Sequence, residues 1–309
     1  MQLTGQIVSI DWGTSNFRAY VVDTASTSIV STYESDKGVR SFVGERDPHL
    51  AQEEYLKQVI SDLKVSTDAQ VILSGMASSS IGIRELPYAQ LPMSGDGSGL
   101  AVVQLPDWNS HEIYMISGVS DGMGFMRGEE TQAIGALDHV GEVESLMLIL
   151  PGTHSKHVLY SDGAYRSMGN FMTGELHALL SEHSILTTAV EKSSWKREYS
   201  EAFRQGVQRI HQSVHGLSGE LLTLRAHELS GKMNRAEGAY YLSGLLIGAE
   251  LSYLVDSDDV IYVSTGGVLY DLYREAIATL GLSGRTTFIR EDSLAQIFVS
   301  GQIKIISAL

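Results

Sequence analysis

Two short stretches carry residues able to handle a phosphate chain. In "IDWGTSNFRAY", Asp11 stands just before Gly13, Thr14, Ser15 and Asn16, with Arg18 behind them; in "LPGTHSKHV", Gly152, Thr153, His154 and Ser155 precede Lys156. Turns of glycine and hydroxyl residues present N–H and O–H groups with little side-chain bulk, so phosphate oxygens can approach the main chain. Asp11 is placed as a Mg2+ ligand, directly or through water, because Mg2+ favours a few carboxylates together with phosphate oxygens and retained waters. Arg18 and Lys156 supply compensating positive charge. The plainer reading makes both turns tight connections and Asp11 a turn acid. Recurrence of the pattern about 140 residues later weighs against it.

Transfer of a phosphoryl group to an alcohol also needs a carboxylate within reach of the hydroxyl proton. Glu129 and Glu130, at the head of "EETQAIGAL", are the candidates, and Arg127 beside them is placed to grip a substrate carboxylate with two prongs. The plainer reading is that acids at a helix start simply answer its dipole. Glu175, in "MTGELHALL", is the alternative base on the substrate side, with helix capping as its plain explanation. Gly266 and Gly267 open a strand-to-helix turn where an adenine ring or an α-phosphate could lie against bare backbone. A rival pattern, Gly118-Val119-Ser120-Asp121-Gly122, fits the G-x-S-x-G of serine hydrolases. It would make Ser120 a nucleophile with Asp162 and His211 or His227 as partners, but no HGGG-type oxyanion loop precedes it. Walker and dinucleotide glycine motifs are absent, and the 10 histidines show no H-E-x-x-H spacing.

The elements around these residues repeat. Strands are expected at 7–11, 17–22 and 28–34, a helix through "HLAQEEYLKQVISDL", a strand in "QVILSG", mostly loop and short strand over 76–111, and a strand in "EIYMIS". From residue 145 the plan restarts: apolar strand, Gly-Thr turn, returning strand, Asp162-Gly163 hairpin, third strand. Helices follow at 199–215, 218–229 and in "AEGAYYLSGLLIGAELSYLV", where small Gly244 and Gly248 permit close packing; then come the strand "VIYV", the Gly266-Gly267 turn with its helix, "TTFIR" and a last helix. This is an α/β chain with a duplicated domain, expected to divide into an N-terminal lobe, 1–140, and a C-terminal lobe, 141–309.

The formal charge of -15 repels nucleic acid as a partner. No apolar run reaches the roughly 18 residues of a membrane span, and there is no basic leader. With no cysteine, a cytoplasmic protein acting on a small molecule is expected.

Five blocks in order, "IDWGTSNFRAY", "MRGEETQAIGA", "LPGTHSKHV", "MTGELHALL" and "LSGLLIGAE", resemble the 2-dehydro-3-deoxygalactonokinase family over nearly the whole chain. The resemblance implies the actin-like ATPase fold: two ribonuclease-H-like lobes around an interlobe cleft. It implies ATP and Mg2+, with phosphorylation of 2-dehydro-3-deoxy-D-galactonate on its C6 hydroxyl in galactonate breakdown. By the same resemblance the first phosphate motif falls on Asp11 to Asn16, the second on Gly152 to Lys156 and the adenosine motif on Gly266-Gly267. The N-terminal lobe would bind substrate and phosphate and end in the interlobe helix; the C-terminal lobe would bind ATP, its last helix packing back. Related sugar kinases carry an Asp near the start of that interlobe helix, whereas this chain reads Gly128-Glu129-Glu130. The remaining readings are a kinase for another sugar acid and a nucleotide-gated, actin-like binding protein. The oligomeric state is left open between monomer and homodimer.

Overall fold

Strand β1 (Gln6–Trp12) is apolar on both faces and almost wholly buried, as a central strand must be. It pairs antiparallel with β2 (Phe17–Asp23), which pairs antiparallel with β3 (Ser28–Ser35). The serine- and threonine-rich β3 is largely exposed, which suits an edge. After α1 (Pro48–Leu63), capped by Asp47 on the amide of Leu50, the chain forms β4 (Gln70–Gly75), parallel to β1. The computed structural model describes residues 3–108, 111–141 and 143–309. Within the 76–111 stretch, expected to be mostly loop and short strand, it places β5 (Ala89–Gln90), β6 (Met93–Ser94) and a full edge strand, β7 (Val102–Trp108), antiparallel to β8 (His111–Ile116). The sheet order is β3-β2-β1-β4-β8-β7. A hairpin of β9 (Val119–Ser120) and β10 (Phe125–Met126) leads into α2 (Glu129–Ala136).

The plan returns with β11 (Ser145–Leu150), β12 (Ser155–Ser161) and β13 (Ala164–Phe171). Four helices follow, α3 (Thr173–His183), α4 (Ser200–His211), α5 (Gly216–Leu229) and α6 (Arg235–Leu251), then β14 (Ile261–Val263), α7 (Gly267–Thr279), β15 (Thr286–Phe288) and α8 (Leu294–Ser307). Here the strand order is β6-β13-β12-β11-β14-β15, with β11, β14 and β15 parallel and β6 antiparallel to β13. The order third-second-first-fourth-fifth thus occurs twice, which is the ribonuclease-H-like arrangement that the resemblance implies. Helix α6 opens with a capping box of Asn234 and Glu237. It lies backbone to backbone on α4: a Cβ on Gly244 would come 2.1 Å from the carbonyl oxygen of Phe203.

Two compact units result. The first runs to Glu144 and takes in Val158–Met168 and Asp292–Leu309; the second comprises Ser145–His157 and Gly169–Glu291. The core of the first gathers Trp12, Phe17, Phe42 and Leu56 with β1 and β4, and that of the second Leu224, Tyr241, Leu242 and Leu245 under α4 to α6. In the first unit α8 crosses α2 where Gly301 would, with a Cβ, meet the carbonyl oxygen of Thr131 at 1.9 Å. Among the described residues no helix is long and apolar enough to cross a membrane.

Candidate active site

In the first unit the β1–β2 register sets Asp11 opposite Arg18, and Arg18 Nη1 donates to Asp11 Oδ2 at 3.2 Å. The turn between them closes with the Gly13 amide on the carbonyl of Asn16 at 2.8 Å. Segment 38–40 backs this turn, the amides of Val39 and Arg40 donating to the carbonyls of Gly13 and Thr14. Gly38 leaves no room for a Cβ, which would lie 2.4 Å from the backbone of Ser15. Buried Trp12 fastens the same segment through its indole N–H, 2.9 Å from the carbonyl of Lys37.

Next to Asp11, at the end of β4, Gly75 adopts φ 91°, a conformation reserved for glycine, and a Cβ there would stand 2.7 Å from the carbonyl of Trp12 and 3.5 Å from Asp11 Oδ1. A Cβ on Gly128, also at positive φ, would in turn meet the Cα of Gly75 at 3.2 Å. Asp11 therefore faces the bare main chain of Gly75, and Gly128 packs against Gly75 in turn. Burial pushes its carboxyl above the usual range, Arg18 opposes this, and the charge of Glu129 pushes it further up. Glu129 takes the amide of Arg127 on Oε2 at 2.9 Å and stays partly exposed. Glu130 is fully buried, and burial, then the Glu129 charge, push its carboxyl up to about 8. Of the two expected bases, Glu129 keeps partial exposure and Glu130 has none.

Arg127 requires a correction. Instead of offering a fork to a substrate carboxylate, its guanidinium is buried: Nη1 donates to the carbonyl and hydroxyl of Ser78, Nη2 to the carbonyl of Leu86 at 3.3 Å and Nε to Tyr88 Oη at 3.4 Å, with the Tyr88 ring 4.1 Å beneath. These partners lie 39 to 49 residues away, out of reach of a local sequence reading. The hydrolase reading also falls. Ser120 sits in a β-hairpin rather than a strand-to-helix elbow, and its hydroxyl donates to the carbonyl of Gly124 at 2.8 Å.

In the second unit the turn Gly152–Lys156 borders a cavity of about 640 Å³, lined on its apolar side by Trp195, Tyr240, Leu246, Leu269 and Leu272. Gly152, Thr173 and Gly174 line it as well. A Cβ on Gly174 would stand 2.8 Å from the carbonyl of Gly152. Lys156 is buried and its ammonium donates to the carbonyl of His154 at 2.9 Å, so its charge lies under the turn. Glu175 pairs with His154 Nε2. Gly266 caps α7, and the Gly267 amide donates to Glu291 Oε1 at 2.9 Å.

Sequence reasoning overlooked Glu291, and also Glu250 and His157. A single acid in the apolar run "LLIGAELSYL" is the signal that could have revealed Glu250. For a metal, no group of three or more His, Asp or Glu side chains exists among the described residues. Mg2+ needs only one or two protein carboxylates beside waters and phosphate oxygens, and Asp11 offers one.

A family model described as 2-keto-3-deoxy-galactonokinase matches residues 11–298. The chain belongs to this family. A kinase of Escherichia coli (strain K12) named 2-dehydro-3-deoxygalactonokinase is 28% identical over 298 residues, covering 93% of this chain and 96% of its own. A Rhizobium meliloti relative provisionally given the same name is 30% identical, covering 92% of this chain and 93% of its own. A crystal structure from Sinorhizobium meliloti, also provisionally so named, shares 27% identity with a TM-score of 0.84, covering 98% of this chain and 97% of that one. This 2-keto-3-deoxy-galactonokinase family member is thus a sugar-acid kinase that uses ATP, which displaces the nucleotide-gated binding reading.

Proposed function

We propose that the enzyme transfers the γ-phosphoryl group of ATP to the C6 hydroxyl of 2-dehydro-3-deoxy-D-galactonate, in galactonate breakdown in the cytoplasm. The observation that carries this reading is the setting of Asp11: paired with Arg18, beside the bare backbone of Gly75, against which Gly128 packs at the head of the helix that begins with Glu129. In this reading one carboxylate serves a metal and the other a proton.

In this reading residues 1–140 hold the acceptor and part of the phosphate chain, and residues 141–309 hold ATP. The apolar cavity receives adenosine, with the Gly266-Gly267 turn at the start of α7. In the second unit the amides and hydroxyls of Gly152 to Ser155 are suited to phosphate, with positive charge from Lys156, and in the first unit those of Gly13 to Ser15 are, with Arg18. Asp11 would hold Mg2+ with waters, and the bound ion would neutralise charge on the phosphate oxygens. Glu129 accepts the proton of the C6 hydroxyl, which leaves late in a loose transition state. Glu130 stays buried and holds the loop, Arg127 pins 78–88, and Glu175 orients His154.

The test is ADP release measured over a panel of 2-keto-3-deoxy sugar acids that differ at C4, with 31P NMR of the product. The expected result is fastest turnover with the galacto compound and a phosphate ester on O6. ADP release indifferent to every acid would defeat the reading.

A further inference from the structure

The second unit contains a buried carboxylate that the proposed reaction does not use. Glu250 is 2% exposed and lies near the end of α6, in an otherwise apolar stretch. Such a group is tolerated only when its oxygens are met by donors. Here they are: Tyr273 Oη lies 2.8 and 2.9 Å from the two oxygens, His157 Nε2 lies 2.9 Å from Oε1, and the Thr173 hydroxyl donates to Oε2. His157 is itself buried, with Nδ1 2.7 Å from Tyr253 Oη and the ring against Phe171.

Both hydroxyls that reach Glu250 are donors, and a tyrosine or threonine hydroxyl has one proton to give. Tyr273 and Thr173 each spend their single proton on Glu250. The contact of 2.9 Å between Ser155 Oγ and Tyr273 Oη must then run from serine to tyrosine. Ser155 belongs to the Gly152–Lys156 turn, and Thr173 lines the cavity next to Gly152. One arm therefore ends directly behind the turn that holds Gly152, and the other in the cavity that Gly152 lines.

Resting on the kinase reading, we infer that Glu250 is a positioning residue for the nucleotide: through Tyr273–Ser155 and through Thr173 it sets the second phosphate turn from behind. A further consequence concerns Thr173. With its proton committed, its oxygen offers only lone pairs to the cavity, so it accepts from a nucleotide hydroxyl or an ordered water and cannot donate to a phosphate oxygen.

The experiment titrates ADP with Mg2+ into the full chain by calorimetry and measures KM for the best sugar acid, for the wild type and for E250Q, T173V, T173S and Y273F. An amide at 250 would point N–H groups at converging donors, and valine at 173 keeps shape without a hydroxyl. Both are expected to weaken ADP binding by about tenfold or more while the sugar-acid KM stays within about twofold. T173S recovers most of the affinity, and Y273F falls between. If E250Q does not fold, the other three variants decide. Wild-type ADP affinity in folded T173V and Y273F overturns the inference alone, as does an equal shift of both substrates. Failure of the wild-type protein to bind ADP overturns it together with the kinase reading.

Discussion

The amide of Gly128 donates to both carboxylate oxygens of Glu130, at 2.8 and 2.7 Å, inside a site closed to water. Because burial raises this carboxyl to about 8, the folded protein keeps a proton that the unfolded chain releases near its model value of 4.5. Stability from this group is full below about pH 4.5 and is lost as pH rises to about 8. Melting E130Q beside the wild type should show the gap moving in favour of the variant between those limits. A gap independent of pH would show that Glu130 is not held neutral.

Glu129 is the carboxylate assigned to the hydroxyl proton. E129Q should lower kcat by roughly 10²–10⁴ with both KM values little changed, whereas E130Q should keep far more activity. Steady-state kinetics on the two variants checks this, and the reverse ranking would move the base to Glu130.

Asp11 carries the proposed metal role. D11N should lower kcat on the order of 100-fold and raise the Mg2+ concentration for half-maximal rate, with the fold intact by circular dichroism. An unchanged Mg2+ titration would remove that role.

Arg127 acts on the fold before it acts on any substrate. R127K loses the fork that ties Ser78, Leu86 and Tyr88, and should lower unfolding free energy by about 3 kcal/mol in urea titrations. Wild-type stability with a raised sugar-acid KM would restore the carboxylate clamp.

Gly38 tests the first phosphate turn by steric means. G38A places a methyl group 2.4 Å from the backbone of Ser15, so the turn must shift. The expected outcome is a fall in kcat/KM for ATP on the order of 10- to 100-fold, larger than the loss in melting temperature would account for. Equal ATP kinetics in G38A would separate residues 13–16 from the nucleotide.

The sequence shows best what is local and periodic. The paired strand-turn-strand plans and the Gly244 approach follow from composition and spacing within a few residues. The β9–β10 hairpin has strands of two residues, too short for alternation to register, so Ser120 could pass for a hydrolase elbow. The fate of Arg127 and the network around Glu250 depend on partners dozens of residues away; the 93-residue separation of His157 and Glu250 carries no pattern at all. What sequence can still report is discord, such as Glu250 and Gln302 each standing in an apolar helix.

Gln302 also ties the end of the chain to its beginning. From α8 its amide reaches the carbonyl of Ile10 at 3.1 Å, that of Ile72 at 3.3 Å and the hydroxyl of Ser74 at 3.0 Å, in the heart of the first unit. On the ribosome, strands β1 and β4 emerge long before the helix that completes them. The strands translated first must therefore wait for a helix 230 to 292 residues later to close their core.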